Sequence, residues 1–247
     1  MFSWNTFLDK LSNKIIGIVN VTDDSFTGDG ILGNTEKINH VYDLAEKKDI
    51  QFLDVGCMST KPNFSSLSTD EEMHRLSSFL EVKNKNFSYS IDSFNPDVIN
   101  KALNNGFSVV NDVSGARESE VLKAVKDHGA GLIIVHRNVD SLFIHEKMEY
   151  KNIIKDVKND LRKQIKHVLA NGIRKENIAI DLGLGFGKTM EQSALLLESV
   201  GQFVDDYPLI VGYSKKKFTK LLNISDDEIL DHCNKAGVSL VRLHLVD

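Results

Sequence analysis

The stretch "IIGIVNVTDDSFTGDG", Ile15 to Gly30, joins an apolar, β-branched run directly to the short polar side chains Asn20, Thr22, Asp23, Asp24 and Ser25, and then to glycines. A short apolar run of this kind reads as a buried strand. A buried strand that ends in so many hydrogen-bonding groups points to a site at its C-terminal end. The same join recurs along the chain in "IIGIVN" (15–20), "IQFLDVG" (50–56), "SYSID" (88–92), "FSVVND" (107–112), "GLIIVH" (131–136), "NIAIDLG" (177–183), "PLIVGYS" (208–214) and "SLVRLH" (239–244). Nearly every run ends in a residue able to bond a ligand: Asn20, Asp54, Asp92, Asn111 or Asp112, His136, Asp181, Ser214, and Arg242 with His244.

Between the runs lie segments such as "TEKINHVYDLAEKK" and "YKNIIKDVKNDLRKQIKHVLANG", with apolar residues three and four apart and charges opposite, the pattern of amphipathic helices. Glycines at 106, 129, 172 and 237 supply C-terminal caps. Strict βα alternation with near-continuous apolar strands means a parallel sheet covered by helices. About eight such units in 247 residues predict one α/β domain over 1–247, a (β/α)8 TIM barrel, with an open doubly wound sheet as the competing architecture. Only three residues follow the last run, so the helix that would close the ring is missing. The apolar "FSWNTFLDKL" near the N-terminus is a candidate to cover part of that gap.

A net charge of -5 supplies no large positive field, which argues against nucleic acid or an anionic membrane as partner. The two cysteines, Cys57 and Cys233, form no disulfide framework and no zinc spacing. No signal-like apolar segment opens the chain, and a cytoplasmic location is the expectation.

In a barrel the strand ends converge on one face, where sites are built. Asp, Asn and Ser also cap helices and start turns, so no single position decides. The set does, because carboxylates embedded in apolar strands, as at Asp92 and Asp181, are costly unless something pairs with them. "GDGILG" (28–33) fits the dinucleotide pattern G-x-G-x-x-G, but it begins well past the strand end, where the tight turn would have to be. "DLGLGFGKT" (181–189) lacks the first glycine of a phosphate loop, since position 182 is leucine. It remains a loop that a flat ligand can approach, with Phe186 as a stacking wall and Lys188 reaching across. "GYSKKKF" sets cations where the seventh strand should feed a helix N-terminus, beside Arg242 and His244.

Seven segments, "GIVNVTDDSF", "DVGCMSTKP", "SIDSF", "NDVSG", "DLGLGFGKT", "YSKKKF" and "VRLH", stand in the order and approximate spacing of the dihydropteroate synthase family, which the chain resembles from about Ile15 to His244. The resemblance implies a transferase of folate biosynthesis that condenses a dihydropterin methyl diphosphate with 4-aminobenzoate, giving dihydropteroate and pyrophosphate, with Mg2+ as cofactor and small molecules as its substrates. It implies that Asp92, Asn111, Asp181 and Lys216 hold the pterin, and that Asn20, Arg242 and His244 bind the diphosphate, Asn20 also lying at the metal. Thr60, Lys61, Pro62 and Phe186 would border 4-aminobenzoate, and Asp92, Lys216, Arg242 and His244 would carry the catalysis. Family dimers make a homodimer an expectation.

The chain departs from the pattern at Lys61, where arginine is usual, at Asp23 and Leu182, where prolines are usual, at Met58, and at Lys217, which replaces a serine associated with the aminobenzoate carboxylate and could pair with that charge or face water. A non-catalytic pterin-binding homologue and a pterin-dependent methyltransferase are the alternatives. The R-x-H pair with Lys216 disfavours the methyltransferase, which has no diphosphate to hold.

Overall fold

In the computed structural model, which describes residues 1–22, 35–58, 68–137 and 149–246, eight parallel strands pair in chain order and the eighth returns to the first. The strands are β1 (Ile15–Asn20), β2 (Phe52–Gly56), β3 (Ser88–Asp92), β4 (Val109–Asp112), β5 (Gly131–Val135), β6 (Ile178–Asp181), β7 (Leu209–Gly212) and β8 (Leu240–His244). Pairing of Ile15 with Val241 and of Ile18 with His244 closes the barrel. Closure excludes the open sheet.

A short helix α1 (Trp4–Leu8) precedes β1, and α2 (Thr35–Lys47), α3 (Thr69–Glu81), α4 (Pro96–Asn104), α5 (Ser119–His128), α6 (Ile153–Ala170), α7 (Met190–Glu198) and α8 (Asp226–Ala236) lie between successive strands. Their apolar stripes pack on the outer faces of the strands, and the helices keep carboxylates in the first turn where the macrodipole favours them, as at Asp70, Glu71 and Glu72 of α3. Gly106, Gly129, Gly172 and Gly237 all adopt the left-handed conformation just past their helices, as the sequence predicts. Among the described residues no helix is long and apolar enough to cross a membrane.

Two expectations are corrected. "FSWNTFLDKL" does not lie on the outer flank of the barrel beside β8. It plugs the N-terminal mouth of the barrel, where Trp4 packs with Ile16, Phe52, Val109, Ile133, Ala179, Ile210 and Leu240 and donates its indole N–H to the carbonyl of Asn177 at 3.0 Å. The reason is size matching: the Phe2 ring fills space that Gly131 leaves open, a Cβ there lying 2.6 Å from the ring. Beside β8, Leu245 folds back over Gly17 so closely that a Cβ at that glycine would stand 2.6 Å from Leu245 Cδ1. The second correction concerns "SKKK". The segment after β7 forms a five-residue 3-10 turn, Lys217–Leu221, and α8 starts only at Asp226 behind its Ser225 cap, so no long helix points its N-terminus at these lysines.

Candidate active site

Alternation along each strand decides which strand-end residues enter the barrel. On β2 it turns Asp54 inward from a strand that is buried at every position. Asp54 Oδ1 accepts from the Ser90 hydroxyl at 2.5 Å, and Oδ2 accepts from Asn111 Nδ2 at 3.0 Å and Arg242 Nε at 2.5 Å. Arg242 Nη2 donates to Asp92 Oδ2 at 2.5 Å. One guanidinium thus lies between two carboxylates, and β2, β3, β4 and β8 are joined through side chains at the C-terminal mouth. Burial pushes the Asp92 carboxyl up to about 7, against the pull of Arg242 and with the repulsion of Asp54 adding to the rise. Burial works against the Arg242 charge, yet Asp54, Asp92 and Asp181 together hold it above its ordinary value.

Asp181, at the end of β6, accepts from the Gly183 amide at 2.6 Å through Oδ1. Among the described residues its other oxygen takes no hydrogen bond. Burial raises its pKa, with Lys216 opposing. Lys216 donates to the carbonyl of Leu184 at 2.6 Å, and its ammonium lies 5.2 Å from the centre of the Phe186 ring. Burial lowers Lys216 to about 8, and Asp181 acts in the other direction. His244 and Ser214 meet at the neighbouring edge, where the His244 amide donates to Ser214 Oγ at 3.3 Å and Nδ1 lies 3.3 Å from the same oxygen. Asn20 ends β1, half-buried, with Oδ1 over Gly56, where an added Cβ would be 3.6 Å away.

The structure therefore brings together Asn20, Asp92, Asn111, Asp181, Phe186, Lys216, Arg242 and His244 at one barrel mouth. Lys217 is exposed and bonds none of them. Thr60, Lys61 and Pro62, together with the loop from Asp23 and the "GDGILG" glycines, lie outside the described residues.

Three candidates leave the mouth. Asn111 points inward, whereas Asp112 points outward and accepts the amides of Ser114 and Ala116 at 2.7 and 3.1 Å, a turn role that settles the pair. His136 continues the outward face of β5, fully buried, with Nε2 3.7 Å from the Asp160 carboxylate of α6. Burial lowers it to about 4, so it stays neutral. Lys188 does not reach across a ligand but turns onto backbone carbonyls. The sequence reading left Asp54 without a specific role and missed Ser90; a carboxylate in the middle of "FLDVG" and a hydroxyl two residues before Asp92 were the available signals.

With this geometry in place, comparison with known proteins is direct. The model of the family "Pterin binding enzyme" matches residues 16–244. The dihydropteroate synthase of Haemophilus influenzae is 30% identical over 219 residues, covering 87% of this chain and 80% of that protein. Among solved structures, the Anaplasma phagocytophilum dihydropteroate synthase with bound 6-hydroxymethylpterin-monophosphate superposes with a TM-score of 0.80 at 26% identity, over 94% of this chain and 93% of the other. The Xanthomonas albilineans dihydropteroate synthase with 4-aminobenzoic acid gives 0.81 at 26% identity, over 96% and 88%. An eight-stranded barrel with carboxylates and cations interleaved at its mouth, matched from the first strand to the last, places this chain in the pterin-binding enzyme family.

Proposed function

We infer that the chain is a dihydropteroate synthase, a transferase that joins (7,8-dihydropterin-6-yl)methyl diphosphate to 4-aminobenzoate. The observation that carries this reading is Asp181, a buried carboxylate with one oxygen held by Gly183 and the other open to the barrel mouth. A carboxylate so placed suits an amino-pyrimidine edge, whose N–H groups replace the hydration it has lost. Asp92 and Asn111 lie on adjacent strands with side chains facing the same space, and Lys216 adds a donor on the opposite side.

In the reaction the bond between the pterin methylene and the diphosphate oxygen breaks, and pyrophosphate leaves with the electron pair. The aminobenzoate nitrogen then attacks that methylene carbon and gives up a proton. The protein's part is electrostatic. Arg242 and His244 meet the negative charge that grows on the leaving group, while Asp92 faces the positive charge that grows on the pterin. Phe186 offers an aromatic wall, and Thr60 and Lys61 complete the 4-aminobenzoate side in this reading.

No group of three or more His, Cys, Asp or Glu able to hold a metal occurs among the described residues. The single amide oxygen of Asn20 nonetheless fits Mg2+, which keeps most of its waters and takes one or two protein oxygens plus substrate phosphates. Asn20 would hold the ion, and the ion would neutralise the diphosphate as it departs.

The reading is tested by pyrophosphate release with dihydropterin diphosphate and Mg2+, with and without 4-aminobenzoate and with and without a chelator. Release coupled to pteroate formation is expected; pterin binding without turnover would instead assign the chain to non-catalytic homologues. Asp181→Ala is expected to weaken 6-hydroxymethylpterin binding by about a hundredfold, the loss of a charge-assisted pair. Retained affinity in a calorimetric titration would remove Asp181 from the pocket.

A pH profile follows from the same groups. The Asp92 carboxylate forms as pH rises through about 7, and the Lys216 ammonium is lost as pH rises through about 8. The rate at low substrate is therefore expected to climb through the first value and fall through the second, a narrow bell belonging to the site as a whole. A rate that stays flat from about pH 6 to about pH 9 would contradict this assignment of charge.

A further inference from the structure

Lys188 is 7% exposed, and no carboxylate pairs with it among the described residues. Its ammonium donates to the carbonyls of Gly183 at 2.9 Å, Phe186 at 3.1 Å and His136 at 3.4 Å. An ammonium has three donors, and all three are taken by backbone. Burial pushes this amine down to about 7, with Asp181 opposing. Burying a cation without an ion pair is costly, and an apolar side chain would fill the same space without that cost.

What the lysine holds explains it. Between β6 and α7 the chain runs through three glycines in the left-handed region, Gly183, Gly185 and Gly187. Such a loop has much backbone freedom to lose and few side chains to pack. Gly183 lies so near the end of β5 that a Cβ there would stand 2.0 Å from the His136 carbonyl oxygen. Lys188 bonds that carbonyl and the loop carbonyls of Gly183 and Phe186, while the Leu184 carbonyl between them receives Lys216. Two lysines thus hold one loop through different carbonyls.

We propose that Lys188 is a positioning residue, whose ammonium ties the glycine loop to the end of β5 and through Leu184 and Phe186 fixes where Lys216 stands. The proposal rests on the reading that Lys216 faces the pterin. It touches no substrate itself. If it acts through Lys216, its removal matters only while Lys216 is present.

The test is a double-mutant cycle on the full chain, read as affinity for 6-hydroxymethylpterin by calorimetry. Lys188→Met is expected to weaken binding by about tenfold in the wild-type background and by less than about twofold in Lys216→Ala. Losses that multiply, or an unchanged affinity in Lys188→Met, overturn the proposal. Should Lys188→Met fail to accumulate as folded protein, Lys188→Arg, which shifts the donors without removing them, goes through the same cycle with the same criterion. Amide exchange over 183–187 in the ligand-free chain reads the tie directly: it should quicken about tenfold in the Lys188 variant, and unchanged exchange overturns the tie. A wild-type chain that binds no 6-hydroxymethylpterin overturns the pocket reading beneath the proposal, and the exchange data then still decide the tie.

Discussion

Arg242→Ala is expected to lower turnover by about a thousandfold and to destabilise the ligand-free protein by about 3–5 kcal/mol at neutral pH. The first effect is the loss of a preorganised cation at the leaving group. The second comes from the partners left behind. Asp54 is 1% exposed and Asp92 13%, and both carboxylates bond this one guanidinium. Without it they face each other uncompensated. Pterin binding should therefore fall as well, although the family pattern alone assigns Arg242 to the diphosphate.

The pH dependence separates this account from simple loss of packing. In the wild-type chain the folded state holds the Asp92 proton up to about 7, whereas an unfolded carboxyl releases it near 3.8. The folded state thus binds more protons in that interval, and the stability this group contributes is full below it and lost as pH rises to about 7. Removing Arg242 raises the folded-state value further, so the destabilisation should be smaller near pH 5 than near pH 8. Thermal melts of both proteins at about those two pH values check it. Equal losses at both would mean that packing, not charge, connects these residues.

Gly183→Ala should be comparably severe. Its φ of +60° strains any L side chain, a penalty of about 1–2 kcal/mol. The decisive part is the 2.0 Å approach of the added Cβ to the backbone oxygen of His136, which no side-chain rotation relieves. The loop must move, and with it go the amide that holds Asp181 and the carbonyl that holds Lys216. A loss of about 3 kcal/mol or more is expected, read as a fall in melting temperature of about 6–12 °C. Gly185→Ala is the control, because its φ of +84° carries the same strain while its nearest neighbour, Lys216 Cδ, is 3.8 Å away. If the two alanines cost the same, the contact with His136 is not what fixes the loop.

The strands were legible in the sequence because a parallel barrel buries both faces of each one, which leaves unbroken apolar runs with a polar residue at the end. "IIGIVN" and "SYSID" match β1 and β3 residue for residue. Which polar residue enters the barrel was harder to read, since one position of register reverses the answer. Asn111 and Asp112 are both plausible in the sequence, and only the pairing of Asn111 with Asp92 and Ile133 turns the asparagine inward. His136 and Lys188 read as residues of the mouth, and the structure turns them away from it for a related reason. Their partners, Asp160 on α6 and the carbonyl of residue 136, are brought close by the fold and not by sequence spacing. The aromatic N-terminal segment is visible as apolar, but its destination depends on a glycine at position 131.

That destination bears on how the protein is made. Residues 2 and 4 find their partners at Gly129, Gly131 and Asn177, and β1 acquires its second neighbour only when β8 appears. Contacts this distant in sequence are slow to form and leave apolar surface waiting. For most of synthesis, Phe2, Trp4 and Phe7 have no barrel to enter. Barrel closure therefore waits for β8, and until then these three aromatic rings are apolar surface without a core.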